Sequence, residues 1–186
     1  MKWLPALCFV AMLCGCGGGG SGTASTPAAP TSAAQSNVLP MVVSEGLSNN
    51  VNIPLVSVRV CTPGTSDCRT INNILVDTGS TGLRLLSSAM SGLALPAHTT
   101  STSNVLLGCA QFLSFVTWGP VKRADIYLGE KKAASVPLQV MADPAYPVIP
   151  TSCASAGPVA TGVSDLHANG ILGIGVFVND GQRYYN

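Results

Sequence analysis

Val56, Val58 and Val60 alternate with Ser57 and Arg59, and this period of two dictates a half-buried β-strand rather than a helix. Cys61 and Cys68 close the strand around Thr62-Pro63-Gly64-Thr65-Ser66-Asp67, a segment rich in turn formers. The arrangement predicts a hairpin with a disulfide across it. The returning strand covers residues 71–76, with Ile74-Leu75-Val76 apolar without interruption and therefore buried on both faces. Further strands are expected over residues 105–107, 112–117, 121–128 and 136–141. Pro137, Pro144, Pro147 and Pro150 exclude long helices from the second half of the chain. Residues 85–93 are the one plausible helical segment. No internal repeat is visible, and the fold class read from this pattern is all-β.

The chain starts differently. Met1-Lys2-Trp3 carries one positive charge and leads into an apolar run from Leu4 to Leu13, too short to span a bilayer. The run ends in Leu13-Cys14-Gly15-Cys16, which resembles the lipobox of bacterial lipoproteins. That resemblance implies a signal peptide over residues 1–15 and a diacylglycerol thioether on Cys16. It also implies export and anchoring in the cell envelope. Because Gly17 is not Asp, the sorting rule of such lipoproteins favours the outer membrane. Residues 17–37 contain only Gly, Ser, Thr, Ala, Pro, Gln and Asn, which bury too little apolar surface to offset the entropy of ordering. A coil of that length reaches about 25 Å. Residues 16–37 thus read as a lipidated tether and residues 38–186 as the folded lobe.

Removal of Lys2 with the signal would leave eight basic and eight acidic residues. They are scattered, with no basic stripe, so a nucleic-acid partner is not expected. Loss of Cys8 and Cys14 and lipidation of Cys16 would leave Cys61, Cys68, Cys109 and Cys153, an even number in an oxidising compartment. With Cys61 paired to Cys68, Cys109 pairs with Cys153 by elimination. The competing zinc reading has no ordinary ligand spacing and only His98 and His167 to assist it. No metal or organic cofactor is expected. His98 lies in a Ser/Thr-rich loop and reads as solvated.

The returning strand runs into Asp77-Thr78-Gly79-Ser80-Thr81. Gly79 allows a sharp turn and brings backbone amides close to the carboxylate. Thr78 would fix the loop through its hydroxyl, and Ser80 would reach the outer oxygen of Asp77. Such a carboxylate can act as a general base toward water, against the plainer reading of an Asx turn at a strand end. An apolar strand ending in Asp-Thr-Gly-Ser resembles the signature of the pepsin-like and retropepsin-like aspartic proteases. Asn169-Gly170-Ile171-Leu172-Gly173-Ile174-Gly175 resembles the apolar-apolar-Gly segment that passes beneath the catalytic loop in that family. The resemblance implies a pepsin-like β lobe, the N-terminal half of a bilobal fold, interrupted here at its C-terminal side. Phe112, Phe115 and Trp118 are the implied substrate-cleft residues. Their segment, Phe112 to Pro120, resembles an uncharacterised group of bacterial lipoproteins carrying the same Asp-Thr-Gly element.

Such proteases work with two carboxylates sharing one proton, and the sequence holds no second Asp-Thr/Ser-Gly. A second lobe or a homodimer partner would have to supply it. Arg84 stands where the family has an aromatic residue, and residues 111–122 lack the flap tyrosine. The expected function is therefore a membrane-anchored aspartic endopeptidase acting on a peptide or protein substrate. The alternative is a non-catalytic envelope lipoprotein that uses the lobe for binding or assembly. Gly162-Val163-Ser164-Asp165-Leu166 fails as a nucleophile elbow at its last position. A Cys109–His167 dyad yields to the expected disulfide.

Overall fold

Strand β2 (Ile53–Cys61) buries Val56, Val58 and Val60 and exposes Ser57 and Arg59, so the period of two becomes an inner and an outer face. Full burial of each valine contributes on the order of 1.5–3 kcal/mol. The chain enters through a short edge strand, β1 (Val42–Ser44). After β2 it returns through β3 (Cys68–Asp77) and crosses into β4 (Thr81–Leu86). Next come β5 (Leu107–Gln111), β6 (Val116–Leu128) and β7 (Lys131–Met141), then β8 (Gly170–Ile174) and β9 (Arg183–Tyr185). The computed structural model describes residues 37–177 and 179–186; the expected signal peptide, the lipidation site at Cys16 and nearly all of the tether lie outside them.

β2, β3, β8, β4, β7 and β6 pair in that order, and β6 pairs back to β2 through Arg59–Tyr127, Val60–Ile126 and Cys61–Asp125. Six strands thus close into a barrel with no free edge. Its interior holds Val58, Val60, Ile71, Ile74, Leu83, Leu85, Ala124, Ile126, Leu138 and Val140, with Met90 and Leu95 packed against them. All-β is the architecture.

β6 serves two sheets. Its first part pairs with β5, itself bordered by β9, and its second part pairs with β2 and β7. The crossing is tight at Gly119, where a Cβ would lie 1.8 Å from the Val140 carbonyl oxygen. Among the described residues two disulfides form, Cys61–Cys68 across the β2–β3 hairpin and Cys109–Cys153 from β5 to the short helix α1 (Thr151–Ala154). With all four cysteines bonded to one another, the zinc and cysteine–histidine readings fall.

Three local expectations are corrected. Residues 85–93 do not form a helix: Leu85 and Leu86 belong to β4, where β8 and β7 offer backbone partners, and only a 3-10 turn, Ser87–Met90, follows. The strand expected over 112–117 begins at Val116, because residues 112–115 are the turn of the β5–β6 hairpin. Residues 105–106 precede β5, which starts at Leu107.

Candidate functional site

Asp77 closes β3, and the chain does not fold directly back onto that strand. β8 inserts between β3 and β4, parallel to the first and antiparallel to the second, with Gly173 opposite both Asp77 and Gly82. The Asp77–Ser80 loop must therefore arch over β8. Arching requires a floor without side chains. A Cβ on Gly173 would lie 2.6 Å from the Ser80 carbonyl carbon and from the Thr81 nitrogen, closer than such contacts occur. A Cβ on Gly175 would lie 2.8 Å from the Ser80 carbonyl oxygen. In their absence the Gly175 amide donates to that oxygen at 2.7 Å, and the Thr81 hydroxyl donates to the Gly175 carbonyl at 3.3 Å.

Within the arch the Gly79 amide donates to Asp77 Oδ1 at 2.9 Å, which orients the carboxylate. Thr78 is exposed, and among the described residues its hydroxyl bonds nothing. The side-chain anchor of the loop is Thr81 instead. Ser80 Oγ does not reach Asp77; it is buried without a partner among the described residues.

Arg84 projects from β4 beneath the loop and is 1% exposed. Its Nη1 donates to the Thr81 carbonyl at 3.0 Å and its Nη2 to the Asp180 carbonyl at 3.4 Å, while the Phe112 ring lies 5.4 Å from the guanidinium. Burial lowers the pKa of Arg84, and the nearby Asp180, Tyr184 and Asp77 oppose that effect. Asp180 accepts from the Gln182 amide at 3.0 Å, from Gln182 Nε2 at 3.3 Å and from the Tyr184 hydroxyl. Burial and Asp180 together raise the pKa of Tyr184, so the phenol stays protonated as a donor. A cavity of about 270 Å³ opens between these groups, lined by Gly79, Ser80, Arg84, Phe112, Phe177 and Asp180 among others.

The three aromatic cleft candidates part company. Phe112 lines the cavity, and Phe115 stacks on it with ring centroids 4.8 Å apart. Trp118 is 4% exposed and packs with Cys109, Val116 and Cys153; its Nε1 donates to the Tyr146 carbonyl at 3.0 Å. It is a core residue here. His98 is half-buried rather than solvated, its backbone paired with Val121 and Leu106 and its Nδ1 buried without a partner among the described residues.

Arg84 and Asp180 were not read from sequence as members of this site. They stand ninety-six positions apart, and no local spacing connects them. The usable signal was an arginine inside the apolar run of β4, a residue type that seldom enters a core unless something holds it.

The family model described as "Protein of unknown function (DUF3443)" matches residues 33–185. No curated protein matches the chain. Membership of the pepsin-like or retropepsin-like aspartic protease family, expected from Asp77-Thr78-Gly79-Ser80, is thereby corrected: no protease family model matches. A short loop signature and a glycine segment describe how the backbone crosses β8, which this structure contains, and that crossing does not by itself establish ancestry.

Proposed function

The chain belongs to the DUF3443 family, and from that premise we propose that its barrel is one lobe of a two-carboxylate peptide hydrolase. The finer architecture proposed is that of an acid-protease-type lobe, with Asp77 as its catalytic residue. The observation that carries this reading is the arch over β8. A carboxylate is oriented by the Gly79 amide, and its loop is held by the Gly175 amide and the Thr81 hydroxyl. A solvent-facing Asx turn needs no such floor. An immobilised carboxylate beside a cavity is what general-base catalysis requires.

In the proposed reaction Asp77 and a second carboxylate share one proton. The ionised member takes a proton from water as its oxygen adds to the peptide carbonyl. The protonated member then gives its proton to the departing amine. A second lobe or a second copy of this chain supplies the other carboxylate. Export and anchoring through a lipidated Cys16, with the outer membrane favoured, would place the reaction in the cell envelope, and residues 17–37 would hold the lobe off the surface. The test is peptide hydrolysis in the acid range by the full chain and by its Asp77→Asn variant, with loss of cleavage in the variant expected.

A second reading, a non-catalytic envelope lipoprotein that uses the barrel for binding or assembly, draws on Arg84. A buried guanidinium facing a cavity suits ligand binding without catalysis. The two readings separate on whether Asp77 is needed for turnover.

A further inference from the structure

Arg84 carries its charge into the barrel wall without a salt bridge: Asp180 and Asp77 lie close enough to favour the charge, but no carboxylate oxygen comes within 4.0 Å of it among the described residues. All eight acidic residues of the sequence lie among the described residues, and the ion pairs found there are Lys122–Asp143 and Lys132–Asp125. Burying an unpaired charge is costly, and such groups persist where an opposite charge arrives from elsewhere. Two guanidinium nitrogens are committed to main-chain carbonyls, whereas Nε is buried with no partner among the described residues. The Ser80 hydroxyl is likewise buried and unpartnered. Both residues line one cavity of about 270 Å³ beside the Asp77 loop, and each keeps one unused donor buried behind its wall.

We propose that this cavity is a carboxylate subsite, in which Arg84 Nε and the Ser80 hydroxyl bind the two oxygens of a peptide carboxylate. The carboxylate comes from an acidic side chain or from a free C-terminus. Two donors match one planar, singly charged group. The carboxylate of Asp180 also lines the cavity, but three donors already engage it: the Gln182 amide, Gln182 Nε2 and the Tyr184 hydroxyl. Its charge disfavours a dianionic phosphate in the same space. As a statement about substrate class, the subsite rests on the reading of Asp77 as a peptide-hydrolysing carboxylate. Carboxylate binding as such does not.

The experiment uses the full chain, labelled with nitrogen-15 and carrying Asp77→Asn so that peptides are bound without turnover. Three alanine-based pentapeptides are titrated. One has a central Glu and blocked ends, one has Gln at that position and blocked ends, and one has no acidic side chain but a free C-terminus. The Glu peptide or the free-acid peptide is expected to bind at least about tenfold more tightly than the Gln peptide, the size of a charge-assisted hydrogen bond. Whichever does so identifies the source of the carboxylate and shifts the Arg84 Nε–H resonance, assigned through Arg84→Lys. Ser80→Ala leaves the barrel folded and reduces the preference. Equal binding of all three peptides, or a preference unchanged in Ser80→Ala with an unmoved Arg84 signal, overturns the subsite. Cleavage by the wild-type chain is read separately. Carboxylate preference without cleavage keeps the subsite and removes the hydrolase reading, and cleavage without preference does the reverse.

Discussion

The Gly175 amide donates to the Ser80 carbonyl at 2.7 Å, which ties the loop after Asp77 to the end of β8 across ninety-five positions of sequence. This contact exists because neither Gly173 nor Gly175 carries a Cβ. It makes the geometry of the carboxylate a property of the barrel rather than of the loop alone.

Gly173→Ala should therefore destabilise the whole molecule. Its new methyl would meet backbone atoms of Ser80 and Thr81 at 2.6–2.7 Å, where nothing flexible can give way. Overpacking of this kind costs about 1–3 kcal/mol. Gly79→Ala meets only Asp77 Oδ1, at 3.3 Å, so it should leave stability nearly unchanged while displacing the carboxylate. Urea midpoints compared with peptide turnover in both variants check the contrast.

The two disulfides should contribute unequally. Cys61–Cys68 spans seven positions and Cys109–Cys153 spans forty-four. By loop-closure entropy the first is worth about 2.4 kcal/mol and the second about 4 kcal/mol. Paired cysteine-to-alanine variants should lose stability in that order, measured by chemical denaturation of each against the oxidised wild type.

Part of the stability that acid removes has a visible source at Asp125. Its carboxylate meets Lys132 at 2.7 Å and accepts from the Ser135 amide at 2.8 Å and the Gly64 amide at 3.0 Å, which hold its pKa at about 2 against an ordinary 3.8. The group binds protons more weakly folded than unfolded. Its stabilisation is therefore full above about pH 4 and is lost as the pH falls from about 4 toward 2. Asp125→Asn should lower Tm at pH 6 and converge with the wild type near pH 2. Parallel Tm curves over that interval would show that Asp125 contributes no such linkage.

Trp118 and Phe112 should respond in opposite ways. Trp118→Phe removes the hydrogen bond to the Tyr146 carbonyl and should cost about 1 kcal/mol with turnover unchanged. Phe112→Ala empties one wall of the cavity and should impair turnover more than stability. Steady-state kinetics alongside thermal melts distinguish them.

Much of this frame was legible residue by residue. The alternation at Val56–Val60 dictated an inward and an outward face, and the turn between Cys61 and Cys68 dictated their pairing. The segment ending in Gly175 does pass under the loop that follows Asp77, a course expected only from a family resemblance and not from the residues themselves. What stayed hidden depended on partners distant in sequence. Leu85 and Leu86 look helical locally, and two neighbouring strands decide otherwise. β6 continues through Gly119-Pro120, with Pro120 paired opposite Leu107 and Gly119 passing close over Val140. Arg84 reads as a departure from an aromatic pattern, and only the fold brings Ser80 and Asp180 to the same cavity. Family membership was misread for a related reason, since Asp-Thr-Gly and a glycine floor describe a way of crossing strands.

The most direct measurement is acid-range hydrolysis of a diverse peptide mixture by the full chain, compared with Asp77→Asn, which removes the charge and keeps the shape. Wild-type cleavage that falls at least about a hundredfold in the variant, with an unchanged Tm, is the expected result, in line with the loss of a general base. Cleavage that persists in Asp77→Asn, or a wild-type chain that is folded and dimeric yet cleaves nothing between pH 3 and 7, would contradict the assignment of Asp77 as a catalytic carboxylate.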